Sequence, residues 1–350
     1  MTNDLPNAPY RRIAVEEGWG CQEMFDVYRK FLSDYPQDDP SFMSLMGYYA
    51  LGEGERPESV RKRLIDTPTR LAEMDASGID HQILSLTSPG TNPLAAKEAI
   101  WLSTRANDAM AAVIAEHPTR FSGLAAVPFT AADAGAAELE RAVNELGFKG
   151  AILNSHVRDE YTDTEHYMSF YEAAASLGVA VYLHPNGPSQ GLFKPFHDRG
   201  LDGSIYGFGV ETGLHLLRLV VSGVFDRFPD LTMVVGHLGE ALPFWLNRID
   251  YMYERQIKTG RYPHVKPLPK LPSEYLKTNV WYTTSGMPWQ EEVMFTRTMV
   301  GADRVMYAMD YPYQYEPAQV ALQDSLPISD EEKFEFFEGI ATRVFTLNLS

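Results

Sequence analysis

The chain has 350 residues, 45% of them hydrophobic and 22% charged, the balance of a soluble globular protein with a sizeable core. Its formal net charge of −17 argues against a nucleic-acid partner, because phosphate binding needs a basic face. The single cysteine, Cys21, rules out an intramolecular disulfide and a cysteine-based zinc site, and reads as a small half-buried side chain early in a helix. The opening MTNDLPNAPYRR has no apolar signal core and no run of 18 apolar residues occurs, so a cytoplasmic protein with no membrane partner is expected.

In chain order, short β-branched runs alternate with helical stretches. RIAVE (12–16) opens as a strand, followed by a long excursion over residues 21–76 in which two or three helices are expected around SLMGYYALGEGERP. HQILSLT (81–87) is a second strand, and the alanine- and leucine-rich segment 93–118 a helix. FSGLAAVPF (121–129) leads to a helix over 131–147, where Gly147 fits a C-terminal stop before the strand GAILNS (150–155). VAVYLHP (179–185) is followed by a glycine-rich loop over 186–209 and a helix over 210–229. LTMVVGH (231–237), the helix 241–260, VWYTTSG (280–286) and RVMYAMD (304–310) complete the series. Most strands are near-continuous apolar runs, as parallel strands covered on both faces require. Eight such units predict an α/β fold, a single (β/α)8 TIM barrel spanning residues 1–350 with a helical insertion after strand 1. A doubly wound open sheet is the alternative, but no glycine-rich phosphate loop follows the first strand.

In a barrel the last residues of the strands converge on one mouth. Those residues are Glu16, Asn154 with Ser155, His184, His237, Thr284 with Ser285, and Asp310. Glu16, His184 and Asp310 supply two carboxylates and one imidazole, a set suited to Mn²⁺ or Mg²⁺ and open to Zn²⁺. His237 stands near as a fourth ligand or a proton-handling neighbour. His156 lies just past strand 4, and Glu211 and His215 are spaced i,i+4 at the start of a helix, as a supporting pair or a local contact. His81 and His117 read as structural.

The segments RIAVEE (12–17), SLMGYYA (44–50), MDASGID (74–80), LTSPG (86–90) and NSH (154–156) carry a resemblance, strengthened by LDGSIYGFGVETGLHLLRL (201–219), VGHLGEALPFWLNRIDYM (235–252) and RVMYAMDYPYQY (304–315). From Arg12 onward the chain resembles the amidohydrolase superfamily, in its metal-dependent branch of aromatic-acid decarboxylases. That branch includes the γ-resorcylate, aminocarboxymuconate-semialdehyde and 5-carboxyvanillate enzymes, and the likeness is greatest to the last type. The resemblance implies one divalent ion, Mn²⁺ first, held by Glu16, His184 and Asp310, with Asp310 also moving the proton. It places His237 and Arg248 against the substrate and gives Arg56, Tyr49, Thr87, Phe208 and Tyr313 the shaping of the pocket. It also implies a homo-oligomer, a dimer or tetramer. One departure stands out: many members carry His two residues after the first ligand, where this chain has Gly18.

The activity this implies is non-oxidative removal of a carboxyl group from a phenolic acid, with 5-carboxyvanillate to vanillate plus CO₂ as the leading reaction. Another hydroxybenzoate, or hydrolase or hydratase chemistry on the same fold, is the alternative; a missing His-x-His after strand 1 counts against the hydrolase. A non-catalytic binding protein would have no need of converging ionisable groups.

Overall fold

A computed structural model describes residues 8–35 and 39–349; residues 36–38 of the excursion and most of the N-terminal segment MTNDLPNAPYRR fall outside them. Eight strands run parallel in sequence order: β1 (Ile13–Trp19), β2 (His81–Leu86), β3 (Phe121–Ala126), β4 (Gly150–Asn154), β5 (Ala180–His184), β6 (Met233–Val235), β7 (Val280–Thr283) and β8 (Val305–Met306). Seven parallel ladders join neighbours from β1 through β8. The segment just beyond β8 reaches back to β1, with the Gly18 N–H donating to the Tyr311 carbonyl (2.6 Å) and the Met309 N–H donating to Glu17 Oε1 (3.0 Å). This is the arrangement of a (β/α)8 barrel.

Alternation along the strands separates two apolar clusters. Ile13, Val15, Ile83, Leu124, Ile152, Tyr182, Val234 and Met306 fill the barrel interior, plugged from below by Ile340, Phe345 and Leu347. Ala14, Leu84, Leu153, Val181, Leu183, Val235 and Tyr282 face outward and pack under the helices. The expected helices form at Ala96–Glu116, Ala132–Asn144 and Leu242–Thr259. The stretch expected as one helix over 210–229 is broken: Gly207–Val221 and Val224–Arg227 are separated at Gly223, whose φ of +84° suits glycine.

The segment between β1 and β2 holds the helices Gln22–Asp34, Pro40–Met46, Glu55–Ile65 and Thr67–Ser77, with one π turn at Gly47–Leu51. Cys21 is buried and stands just before the first of them rather than inside it. The 186–209 loop is not wholly irregular, since Gln190–His197 is helical. Two anchors hold that turn despite Pro195 within it: Phe193 is buried, and the Ser189 N–H donates to Glu211 Oε2 (3.0 Å). The two segments meet over the mouth, where the Ser44 hydroxyl donates to Asp202 Oδ2 (2.6 Å). Gly187 abuts Ser41 so closely that a Cβ on it would stand 1.8 Å from Ser41 Oγ.

Candidate active site

The first strand does not alternate strictly. Ala14 pairs with Gln82 but Glu17 pairs with Leu84, so β1 carries one extra residue between them. That bulge turns both Val15 and Glu16 into the barrel, and Glu17 outward to Gln82 Nε2 (3.1 Å) and the Met309 N–H. Burial pushes the Glu17 carboxyl up to about 8, against the pull of its bond from Met309. Strict alternation elsewhere brings Tyr182 and His184, Val234 and Gly236, Thr283, and Met306, Ala308 and Asp310 to the same interior. His237 (φ 51°) and Asp310 (φ 71°) adopt left-handed backbone where their strands end, the kind of strained position that clusters at functional sites.

Glu16 sits at the centre, its side chain 2% exposed. Its Oε2 accepts a hydrogen bond from the Tyr182 hydroxyl and lies 3.2 Å from Thr283 Oγ1. Its Oε1 is buried and accepts no hydrogen bond. That oxygen instead faces His184 Nε2 (3.4 Å) and His237 Nε2 (3.7 Å), and His237 Nε2 stands 3.9 Å from Asp310 Oδ2. Each imidazole spends its other nitrogen elsewhere: His184 Nδ1 is 2.8 Å from the Pro185 carbonyl, and His237 Nδ1 is 2.8 Å from Glu240 Oε1. When Nδ1 is the donor and Nε2 is unprotonated in both rings, the state a bound cation requires, two Nε2 lone pairs and a bare carboxylate oxygen face one another.

That set fits a cation. A ligating histidine characteristically gives its far N–H to a carbonyl or carboxylate, as both do here. Donor atoms about 2.1 Å from one ion stand about 3.0–3.5 Å apart, close to the spacings of Glu16 with its two histidines. Among the described residues no three acidic, histidine or cysteine side chains are already drawn together closely enough to hold a metal ion, so the groups would have to close in by some tenths of an ångström around one. Without a cation, burial pushes Asp310 up. Burial alone would push His237 down, but Glu240, Glu16 and Asp310 overcome it and hold His237 well above the usual imidazole range. A dication among them would reverse both trends.

A cavity of about 450 Å³ opens above these groups, with His184, His237 and Asp310 in its floor. Tyr49, Arg56, Phe208 and Tyr313, all singled out from the sequence, line it together with Ser44, Tyr48 and Asp202. Thr87 does not line it; it stands behind, 2.6 Å from the Tyr313 hydroxyl, while Tyr49 packs edge-on against the Tyr313 ring. The Arg56 guanidinium donates to the Tyr313 carbonyl (2.6 Å). Arg248 is exposed on the helix Leu242–Thr259 and is not among the lining residues. At Gly18 the backbone stands close: a Cβ there would meet the Tyr311 carbonyl at 3.1 Å, a tight contact that a histidine could make only if the Tyr311 segment gave by a few tenths of an ångström.

The remaining strand-end residues support loops. His156 Nε2 is 3.0 Å from the Gly187 carbonyl, and His215 Nε2 is 2.8 Å from Thr162 Oγ1, so Glu211 and His215 hold separate segments rather than each other. Of the β7 candidates, Thr284 bonds the Ala308 backbone and Ser285 Oγ is buried without a partner, whereas Thr283, one residue earlier, reaches Glu16. Sequence reading missed Tyr182, Thr283, Gly236 and Glu240. Counting back two residues from His184 would have pointed Tyr182 inward.

The amidohydrolase family model matches residues 59–347. The chain belongs to that family. Among curated relatives, this amidohydrolase is 35% identical to the γ-resorcylate decarboxylase of Polaromonas sp., over 83% of this chain and 90% of that one. Among solved structures, it superposes with a TM-score of 0.95 at 43% identity on 5-carboxyvanillate decarboxylase from Novosphingobium aromaticivorans, covering 97% of both chains. That crystal contains manganese and 4-hydroxy-3-methoxy-5-nitrobenzoic acid. The 5-carboxyvanillate decarboxylase of Sphingomonas paucimobilis matches at TM-score 0.91 and 36% identity, covering 97% of this chain and 99% of that one.

Proposed function

We propose that this amidohydrolase is a metal-dependent, non-oxidative decarboxylase of a phenolic acid, with 5-carboxyvanillate as its leading substrate and Mn²⁺ as its ion. The observation that carries the reading is the bare, buried Glu16 Oε1 facing the Nε2 atoms of His184 and His237 at the floor of an aromatic-lined cavity. Its likeness to manganese-containing 5-carboxyvanillate decarboxylase supports both the substrate class and the ion.

In this reading Glu16, His184 and Asp310 hold the ion. When bound, a divalent cation there supplies a template and Lewis acid for the carboxylate and the adjacent phenol oxygen, with no change of oxidation state. Asp310 takes the phenol proton as substrate binds and delivers it to the ring carbon that bears the carboxylate. The ring becomes a dienone, the carbon–carbon pair returns to it as CO₂ leaves, and the phenolate regains a proton. His237, beside both Glu16 and Asp310, contacts the departing carboxylate and handles that proton. Tyr49, Phe208 and Tyr313 flank the ring, and Thr87 fixes Tyr313. Arg56 is the cation of the cavity and the natural partner of a second ring carboxylate; Arg248 meets substrate only where another copy of the chain brings it to a mouth.

We read residues 1–350 as one domain, with the helices between β1 and β2 as an insertion that roofs the mouth. A homo-oligomer is expected, since Phe244, Trp245, Tyr251 and Met252 are exposed on one helix. Among the described residues no helix is long and apolar enough to cross a membrane. A cytoplasmic setting is part of the same proposal.

The test is CO₂ release from a panel of hydroxybenzoates by manganese-loaded protein and by Asp310→Asn. Wild type should turn over a substrate with hydroxyl next to carboxylate, and chelation should stop it. Asp310→Asn should lower kcat by about 10² or more while a chelating analogue still binds. Full activity in metal-stripped protein would sink the mechanism.

A further inference from the structure

Metal ligation by Glu16 leaves unexplained why one of its oxygens is so heavily enclosed. Tyr182 and Thr283 are fully buried, and both present their hydroxyls to Oε2. Their oxygens are also 2.8 Å apart, so the single Thr283 proton goes either to Glu16 or to the Tyr182 oxygen. Either way Tyr182 donates to Glu16. The third side of the enclosure is backbone: a Cβ built on Gly236 would stand 2.3 Å from Oε2, so the chain leaving β6 runs directly against that oxygen. The two oxygens of one carboxylate are therefore unlike. Oε2 is enclosed by two hydroxyls and backbone, and Oε1 is open to the histidines.

We propose that Tyr182 and Thr283 restrict Glu16 to ligation through one oxygen and thereby discriminate against calcium in favour of manganese, an inference that rests on the metal site proposed above. Calcium takes six to eight oxygens and commonly draws both oxygens of a carboxylate, at longer distances than smaller divalent ions. The His184 imidazole already offers calcium little, and a Glu16 carboxylate that cannot turn its second oxygen withholds more. The smaller ion, content with one oxygen from each of Glu16 and Asp310 and one nitrogen from His184, loses nothing by the same restraint. Removing the Tyr182 hydroxyl frees Glu16 to rotate and present both oxygens. It also makes the carboxylate a stronger donor, which helps both ions, so absolute affinity does not discriminate. The ratio of affinities does. Tyr182 and Thr283 are positioning residues, acting only through Glu16.

Metal-stripped wild type, Tyr182→Phe, Thr283→Val and Thr283→Ser are titrated with Mn²⁺, free ion being read by electron paramagnetic resonance, and then with Ca²⁺ in competition. Tyr182→Phe is expected to narrow the manganese-to-calcium preference by about tenfold or more, the scale on which groups that orient ligands act. Thr283→Val narrows it less, and Thr283→Ser, which keeps the hydroxyl, retains the wild-type ratio. An unchanged or wider ratio in folded Tyr182→Phe overturns the proposal. Should that variant not fold, the Thr283→Val and Thr283→Ser pair decides, and equal ratios in the two overturn it. Wild type that holds no Mn²⁺ overturns the metal site itself, a result visible before any variant is compared.

Discussion

Gly236→Ala is the sharpest single test of how the site is packed. The glycine has φ −73° and ψ −177°, a backbone any residue adopts, so alanine adds no conformational strain of its own. What it adds is a methyl 2.3 Å from Glu16 Oε2 and 3.0 Å from both Glu16 Cδ and Oε1. Carbon and oxygen not bonded to each other rest about 3.3 Å apart, so something must move by about 1 Å. Glu16 is the group that moves, because the alternative is to open the β5–β6–β7 ladder. Moving it loosens the Tyr182 and Thr283 contacts, and overpacking of this kind costs about 1–3 kcal/mol of stability. A ligand displaced by that much should weaken metal binding about 10- to 100-fold, and turnover should fall by about 10². The assays are metal content per chain after gel filtration, CO₂ release at saturating Mn²⁺, and a thermal melt to establish folding. Gly191→Ala is the control, since a Cβ there meets nothing within 4 Å. If Gly236→Ala kept wild-type metal content and turnover, Glu16 would not be the ligand its surroundings indicate.

Two predictions concern stability. Arg12 and Asp324, whose side chains are each 6% exposed, pair at 2.7 Å, and the Tyr10 hydroxyl donates to the same carboxylate (2.8 Å). Asp324→Ala leaves a buried guanidinium without that partner and should cost about 3–5 kcal/mol in urea denaturation; a cost under about 1 kcal/mol would contradict the burial described. His81 is buried between the Thr119 carbonyl (3.0 Å) and Ser122 Oγ (2.9 Å), and burial pushes its pKa down to about 4. Because the unfolded imidazole titrates near 6.5, the unfolded chain binds more protons between those values, so this stability is present above pH 6.5 and is lost as pH falls toward 4. From pH 7 to pH 5 the His81 share of the loss is about 2 kcal/mol, and His81→Gln should flatten the pH dependence of denaturation by that amount.

The barrel was legible because its strands are apolar on both faces and bounded by turn chemistry, which reads at the level of composition and period. His184 and Asp310 were legible for the same reason, since each is the polar end of an apolar run. Glu16 is a different case. In RIAVEEGW a strict alternation starting from Ile13 turns Glu17 inward and Glu16 outward, and only the extra residue in β1 reverses them. The bulge has no signature in the residues themselves; it shows in the register with β2. β6 and β8 came out shorter than expected: β6 stops at Val235, just before the left-handed turn at His237, and beyond Met306 the backbone N–H groups of Tyr307, Ala308 and Met309 donate to the Phe336 carbonyl, Thr284 Oγ1 and Glu17 Oε1 rather than to a strand ladder. The enclosure of Glu16 could not be read, because it joins β1, β5, β6 and β7 through tertiary contact alone. The helix at Gln190–His197 was hidden by its glycine and proline, which local propensity counts against a helix and the two anchors at Phe193 and Ser189 outweigh.

The seam between Gly18 and Tyr311 has a consequence for how the protein comes into being. It ties the first strand to the segment just beyond the last, and the two carboxylates proposed as ligands lie beside its two ends, Glu16 two residues before Gly18 and Asp310 one residue before Tyr311. A chain emerging from the ribosome can therefore pair its early strands and cover them with helices long before it can hold a metal ion. On the proposed ligand set, competence arrives only when the segment after the last strand comes round to meet the first. A nascent chain truncated ahead of residue 310 carries only Glu16 and His184 of the three proposed ligands, so on that assignment metal capture marks the completion of synthesis rather than a step that guides it.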